Sequence, residues 1–361
     1  MDNRLLKKSI CFVLGPSKSS RTYSSTLRAP RSLRPSIWSF LSSLNLVIVL
    51  SLLTLLSGCF PNVRIPATAQ PLQETQVAGA GADKIVLMDL SGMISEEEKG
   101  SSLVPEPNLV AQIKEELKKA AKDPAVKAVV LRINSPGGTV TASDILHHEL
   151  ENFKKQTGKK VIVSIMDLGA SGGYYVAVAG DKIMVHPTTV TGSIGVIMLT
   201  VNVQGLLEKI GVTGTAIKSG DKKDMGSPLR PMTEEEKQLF QGIINQMYDR
   251  FVSVVAAGRK NMTVDQVRKA ADGRVYTAQQ ALDLGLVDGI GYLDDAIQLA
   301  RTEAGLSKAR VVTYLRPGSY KDNIYSQVPY GAPQTVNLVN LDLRSFVQSG
   351  TPRFMYLWSP P

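Results

Sequence analysis

The chain has 361 residues, 43% hydrophobic and 20% charged, enough for one large domain or two around a sizeable buried core. A mean hydropathy close to zero excludes a polytopic membrane protein. The net charge of +9 is not a nucleic-acid signal, because residues 1–36 carry eight Lys and Arg against Asp2, a local +7 that leaves +2 for the rest.

The basic segment is followed by an uncharged stretch between Arg34 and Arg64. Its densest part, residues 46–56, fits the apolar region of a secretory signal. Leu56-Ser57-Gly58-Cys59 then resembles the bacterial lipobox, in which the cysteine is lipidated and becomes the mature N-terminus. The alternative is one retained transmembrane helix, for which the uncharged stretch is long enough. Either way the basic flank stays inside and the chain beyond it faces outward, which places the protein at the bacterial cell membrane with its main domain on the extracytoplasmic face. The other cysteine, Cys11, lies within the leader, so the mature chain carries no disulfide. Residues 1–59 are thus a leader and anchor, and 60–82, rich in Pro, Ala and Gly without periodicity, read as a flexible tether.

Ordered structure is expected over 83–315. Residues 84–90 read as a strand. Leu109, Val110, Ile113 and Leu117 mark a helix that ends near Asp123-Pro124. Strand 126–133, helix 141–153, strand 160–165, helix 174–179 and strand 182–185 follow. This alternation implies βαβ units around a mainly parallel sheet, and near-continuous apolar strands fit a sheet covered on both faces. After Pro231, Thr233 and Glu236 form a capping box. The apolar stripe from Leu239 to Val255 reads as core or subunit contact rather than a ligand groove. Two shorter helices are expected at 264–271 and 294–303, and 316–361 as an irregular tail.

The chemistry centres on Asp167-Leu168-Gly169-Ala170-Ser171-Gly172-Gly173-Tyr174-Tyr175. Glycines around a serine at a strand-to-helix turn allow close backbone approach and free N–H groups to face an oxyanion. Ser171 is therefore a nucleophile candidate, or else the cap of the next helix. A hydroxyl needs a base, and histidines are scarce. His147 and His148 fall on a helix surface, and only His186 follows Ser171, too soon for an α/β-hydrolase triad. The same scarcity removes an ordinary zinc site. A lysine serves as base if its pKa falls from about 10.4 towards 7–8, and Lys218, Lys222 and Lys223 are all open to that role. Ile133-Asn134-Ser135-Pro136-Gly137-Gly138, after another strand, offers further N–H groups at the carboxyl edge of the sheet.

These motifs, with Thr191-Gly192-Ser193-Ile194-Gly195-Val196 and Lys218-Ser219-Gly220 followed by Lys223-Asp224, resemble in order the motif set of the signal peptide peptidase A (protease IV) family. The resemblance implies a Clp-protease/crotonase-like α/β fold of stacked ββα units. It implies Ser171 as nucleophile, Lys223 as general base, Ser193 as the serine that orients the base, and the N–H groups of Gly138 and Gly172 as the oxyanion hole. It implies no metal and no cofactor. The expected activity is a membrane-anchored serine endopeptidase degrading remnant signal peptides and other apolar extended segments through an acyl-enzyme. It also implies a ring-forming homo-oligomer in which one protomer's lysine completes its neighbour's site, with no nucleic-acid partner. A silent scaffold lipoprotein and a crotonase-type acyl-CoA enzyme are the alternatives. The tail, at Phe354 to Trp358, is apolar enough to enter an extended-substrate groove as a self-inhibitory segment or a subunit clasp.

Overall fold

A computed structural model describes residues 71–97, 99–101, 104–316, 324 and 353–358. The leader, Cys59 and the first part of the expected tether lie outside the described residues. In chain order the elements are β1 (Gln73–Gly79), β2 (Lys84–Ser91), β3 (Lys99–Ser101), β4 (Val104–Glu106), α1 (Leu109–Lys122), β5 (Val126–Ser135), β6 (Gly137–Thr139), α2 (Val140–Thr157), β7 (Lys160–Ala170), α3 (Gly172–Ala177), β8 (Lys182–Val185), β9 (Val190–Gly192), β10 (Ile197–Leu199), α4 (Gln204–Lys209), α5 (Glu234–Gly258), α6 (Val264–Ala270), β11 (Val275–Thr277), α7 (Ala278–Asp283), β12 (Gly289–Ile290), α8 (Leu293–Glu303), β13 (Arg310–Leu315) and β14 (Arg353–Leu357).

The main sheet runs β1-β13-β2-β5-β7-β8-β12, parallel from β13 to β12, with β1 antiparallel on the edge. Alternate residues of its inner strands point to opposite faces. Val86, Met88, Val129, Leu131 and Val163 pack on one face with Leu109, Ile113 and Leu117 of α1 and Leu146 and Leu150 of α2. Ile85, Leu87, Ala128, Val130 and Ile162 pack on the other with Leu293, Ala296 and Ala300 of α8. Both faces are covered, so apolar strands without polar alternation are what this sheet requires. The unit β5-β6-α2 repeats strand, strand and helix in the manner expected of the α/β fold.

Helix boundaries follow local chemistry. The Asn108 side chain accepts from the Ala111 N–H at 2.9 Å to start α1. At its end, Lys159 Nζ donates to the carbonyls of Ala120 (2.7 Å) and Asp123 (2.8 Å), placing a cation at the negative helix terminus. Thr233 and Glu236 form the expected capping box of α5.

Two segments differ from the sequence reading. Residues 73–79 of the expected tether form β1, because the outer side of β13 offers unpaired N–H and C=O groups that β1 satisfies from Gln73↔Leu315 to Gly79↔Arg310. Residues 353–357 of the expected irregular tail form β14, the centre strand of a small sheet ordered β10-β14-β6.

Candidate active site

β5 and β7 are neighbours, with Ser135 in register with Gly169, so the two glycine-rich breaks that end these strands come together at one edge of the sheet. β7 is long enough to pair twice. Its first half runs beside β8 and its last residues beside β9, with Ala170 opposite Gly192. The residues immediately beyond that pair are Ser171 and Ser193. These are the two non-glycine residues with positive φ among those described, at 51° and 49°. Such backbone costs on the order of 1–3 kcal/mol per residue and clusters at functional sites. Both serines are buried and held through their backbone, Ser171 N–H by the Gly192 carbonyl and Ser193 N–H by the Arg274 carbonyl, each at 2.8 Å.

Ser171 stands at the N-cap of α3, yet its side chain makes no capping hydrogen bond. The capping alternative therefore has no support, and the hydroxyl remains available. Across from it lies β6. Gly137 N–H is taken by Ser135 Oγ at 3.1 Å and Thr139 N–H by the Ile94 carbonyl at 2.9 Å. Gly138, between them, is paired with Tyr356 of β14. The Trp358 N–H donates to the Pro136 carbonyl at 2.9 Å. By the alternation of antiparallel ladders, Gly138 and Tyr356 then form a hydrogen-bonded pair.

The Tyr356 carbonyl oxygen occupies the space that side chains on the glycines would fill. A Cβ on Gly137 would lie 2.0 Å from it and 2.7 Å from the Gly172 nitrogen, and a Cβ on Gly172 would lie 3.0 Å from it. A peptide carbonyl thus sits beside the Gly137-Gly138 turn and close to Gly172, the residue after Ser171. β14 lies there as an extended segment, antiparallel to β10 through Phe354↔Met198 and to β6 through Leu357↔Gly137.

The stripe on α5 has a further role that its pattern did not disclose. Phe251, Val252 and Val255 are core, while Leu239 is exposed. Phe240 and Phe251 face the extended segment, with ring centroids 6.1 Å from Phe354 and 4.6 Å from Tyr356. The stripe is core as expected, and its Phe240 and Phe251 also flank the groove that β14 occupies, because β14 supplies aromatic side chains two residues apart on the face towards them. His147, expected on the surface, instead packs edge-on against Tyr175 at 5.4 Å, whereas His148 is exposed. Beyond Leu357 and Trp358 the groove opens into a cavity of about 500 Å³ walled by Ser193, Val196, Ile197 and Ile244.

The three lysines differ in their partners. Lys218 is paired with Asp224 at 2.7 Å, and Lys222 with Glu235. Lys223 is exposed, and among the described residues its amine has neither a carboxylate partner nor a hydrogen bond to Ser171. Its turn is anchored by Arg230, which reaches Asp224 at 2.8 Å and Glu236 of α5 at 2.5 Å. The Arg230 guanidinium holds the Glu236 carboxyl down to about 2 and that of Asp224 well below its usual range. The sequence reading missed Arg230 and the part α5 plays beside β14, and it offered residues 354–358 as an entrant to a groove only as part of an irregular tail, not as a strand. The β-favouring run Phe354-Met355-Tyr356-Leu357 was the available signal for a strand, without indicating its partner.

A family model, peptidase family S49, matches residues 153–307. A signal peptide peptidase SppA of Enterococcus faecium is 41% identical over 242 residues, covering 67% of this chain and 70% of its own. Protease 4 of Salmonella typhi is 36% identical over 224 residues, 62% of this chain, and the match spans about a third (35%) of that longer protein. A more distant likeness, at 20% identity and TM-score 0.38, is to a ClpP1 mutant from Listeria monocytogenes, over 59% of this chain and 94% of that one. The chain belongs to peptidase family S49, among the signal peptide peptidase A and protease 4 enzymes, and is a serine-type peptidase.

Proposed function

We propose that the chain is a Ser-Lys endopeptidase acting on extended, apolar peptide segments such as remnant signal peptides. The observation that carries this reading is β14, an extended strand whose Tyr356 carbonyl lies beside the Gly137-Gly138 turn and close to Gly172, the residue after the strained, uncapped Ser171. Neutral Lys223 takes the Ser171 proton as Oγ attacks the substrate carbonyl. The N–H groups of Gly138 and Gly172 stabilise the oxyanion, and Ser193 orients the amine. The protonated lysine then gives its proton to the leaving amine as the C–N bond breaks. A water, deprotonated by the same lysine, hydrolyses the ester and frees Ser171.

The assignment of Lys223 follows the motif resemblance, and its freedom from a carboxylate partner fits that role, whereas Lys218 and Lys222 are held by Asp224 and Glu235. Within one copy of the chain the Lys223 amine is exposed and makes no hydrogen bond to Ser171. We therefore assign the functional unit to a homo-oligomer in which a neighbouring copy contributes Lys223 and buries it. The exposed Leu199, Val201, Leu206, Ile210 and Ile217, on the chain segment leading to that lysine, supply the apolar surface such an assembly needs. Membrane attachment through lipidated Cys59 or a retained apolar helix brings the site to its substrates on the outer face.

The test is labelling of the assembled full chain with a fluorophosphonate probe. Labelling lost in Ser171→Ala and Lys223→Ala but kept in Lys222→Ala is the expected result. An assembled wild type that stays unlabelled, even with residues 350–361 removed, would overturn the reading in favour of a silent scaffold.

A further inference from the structure

β5 ends on Ser135, which is fully buried and precedes Pro136, a residue with no N–H to offer. The Ser135 hydroxyl donates to the Gly92 carbonyl at 2.7 Å and accepts from the Gly137 N–H at 3.1 Å. A hydroxyl has a single proton, so the bond to Gly92 fixes that proton and leaves a lone pair for Gly137. The loop after β2 closes on the same turn from its other side. Gly92 N–H donates to the Asn134 carbonyl at 3.0 Å, Ile94 N–H to the Gly137 carbonyl at 2.8 Å, and Thr139 N–H to the Ile94 carbonyl at 2.9 Å. Of the N–H groups from 137 to 139, only that of Gly138 is left for the strand seated in the groove, where Tyr356 is its partner. Gly137 has a φ of 103°, a conformation that glycine adopts freely and abandons as freely. Something outside the residue must therefore hold the turn. The Ser135 carbonyl also abuts the helix that follows the nucleophile, 2.8 Å from where a Cβ on Gly173 would lie.

We propose that Ser135 is a positioning residue for the oxyanion hole. Its hydroxyl, oriented by Gly92, ties down the Gly137 N–H and so keeps the Gly138 N–H turned towards the reacting carbonyl. The inference rests on Gly138 being an oxyanion donor. Ser135 acts through the turn and needs no contact with the substrate. Without the hydroxyl, the buried Gly137 N–H is left unpaired, which is costly, and the turn recovers a partner most readily by rotation about Gly137. That rotation swings the Gly137–Gly138 peptide, which carries the Gly138 N–H. A catalytic group misplaced by about 1 Å costs up to about 100-fold in rate.

The test is a double-mutant cycle on the assembled full chain, made in the Tyr356→Ala background so that the chain's own strand does not compete for the groove. The readout is the rate constant of labelling at Ser171 by a fluorophosphonate, whose phosphoryl oxygen takes the oxyanion's place. Ser135→Ala, Gly138→Ala and the pair are compared, with melting temperature and assembly as the check on folding. Ser135→Ala is expected to label about 10- to 100-fold more slowly with folding unchanged. On top of Gly138→Ala, the same change should cost less than about three-fold, because the donor it serves is already displaced. A residue that merely stiffens the fold would cost as much in either background. If the alanine variant does not assemble, Ser135→Cys replaces it with the same expectation, since a thiol keeps the volume and is a weak acceptor. Labelling by Ser135→Ala within about three-fold of the parent, or losses that multiply in the pair, overturns the proposal. Gly138→Ala labelling at the parent rate counts instead against the oxyanion reading itself, and the proposal falls with it.

Discussion

Replacing Tyr356 by alanine should release the groove. The side chain is fully buried between Tyr175 and Phe251 and bonded to the Met247 carbonyl. An aromatic-to-alanine change in a core costs about 3–5 kcal/mol. Here the vacated slot lies in a groove that water can enter, so about 2–3 kcal/mol is the appropriate magnitude. At about 1.4 kcal/mol per decade that lowers the docking constant of the tail roughly 30- to 150-fold. The rate of fluorophosphonate labelling at Ser171, measured on the assembled full chain at neutral pH, should rise by up to that factor, bounded by how completely the tail fills the groove beforehand. Tyr356→Phe keeps the ring contacts and loses only the bond to Met247, for a rise of about 2- to 10-fold. If Tyr356→Ala labels within about two-fold of wild type, with unchanged melting temperature and assembly, the tail does not compete for the site and the self-inhibitory reading fails.

Gly138→Ala should lower kcat about 10²- to 10³-fold. The added Cβ would fall 1.9 Å from the Ile94 carbonyl oxygen, so the turn must shift and its N–H leaves the oxyanion position. Circular dichroism would show whether the fold survives, and an active, folded variant would refute the role. Arg230→Ala should detach the Lys223 turn from α5. The expected outcome is at least about a ten-fold loss in kcat with melting temperature and assembly little changed, and full activity would dismiss the anchoring role. The same anchor predicts an acid limit. Glu236 titrates at about 2 against an ordinary 4.5, a depressed carboxylate, so its contribution is present above about 4.5 and lost as pH falls towards 2. Limited proteolysis should therefore cut the 218–231 segment no faster at about pH 5 than at about pH 7, and progressively faster below about 4. Early cutting at about pH 5–6 would assign the anchoring to some other group.

The alternation of strands and helices, the cap of α5 and the two glycine breaks were legible in the chain because each is a local requirement. A parallel strand covered on both faces must be apolar throughout, a helix start must satisfy its own N–H groups, and a serine at positive φ with bare backbone around it needs glycine neighbours. The resemblance of motifs added roles that spacing alone left open among Lys218, Lys222 and Lys223. Tertiary structure decided what depends on residues far apart. Residues 73–79 carry no strong strand pattern and become a strand because β13, far along the chain, presents an open edge. Residues 353–357 become a strand because β6 and β10 flank a gap one strand wide. Tyr356 finds its slot only when Tyr175, Met247 and Phe251 are assembled from distant parts of the chain. Which lysine stays free depended on where Asp224 and Glu235 came to rest. Sequence periodicity records how a segment is buried but not which edge, carboxylate or ring it will meet, since those contacts are chosen by chain closure and packing.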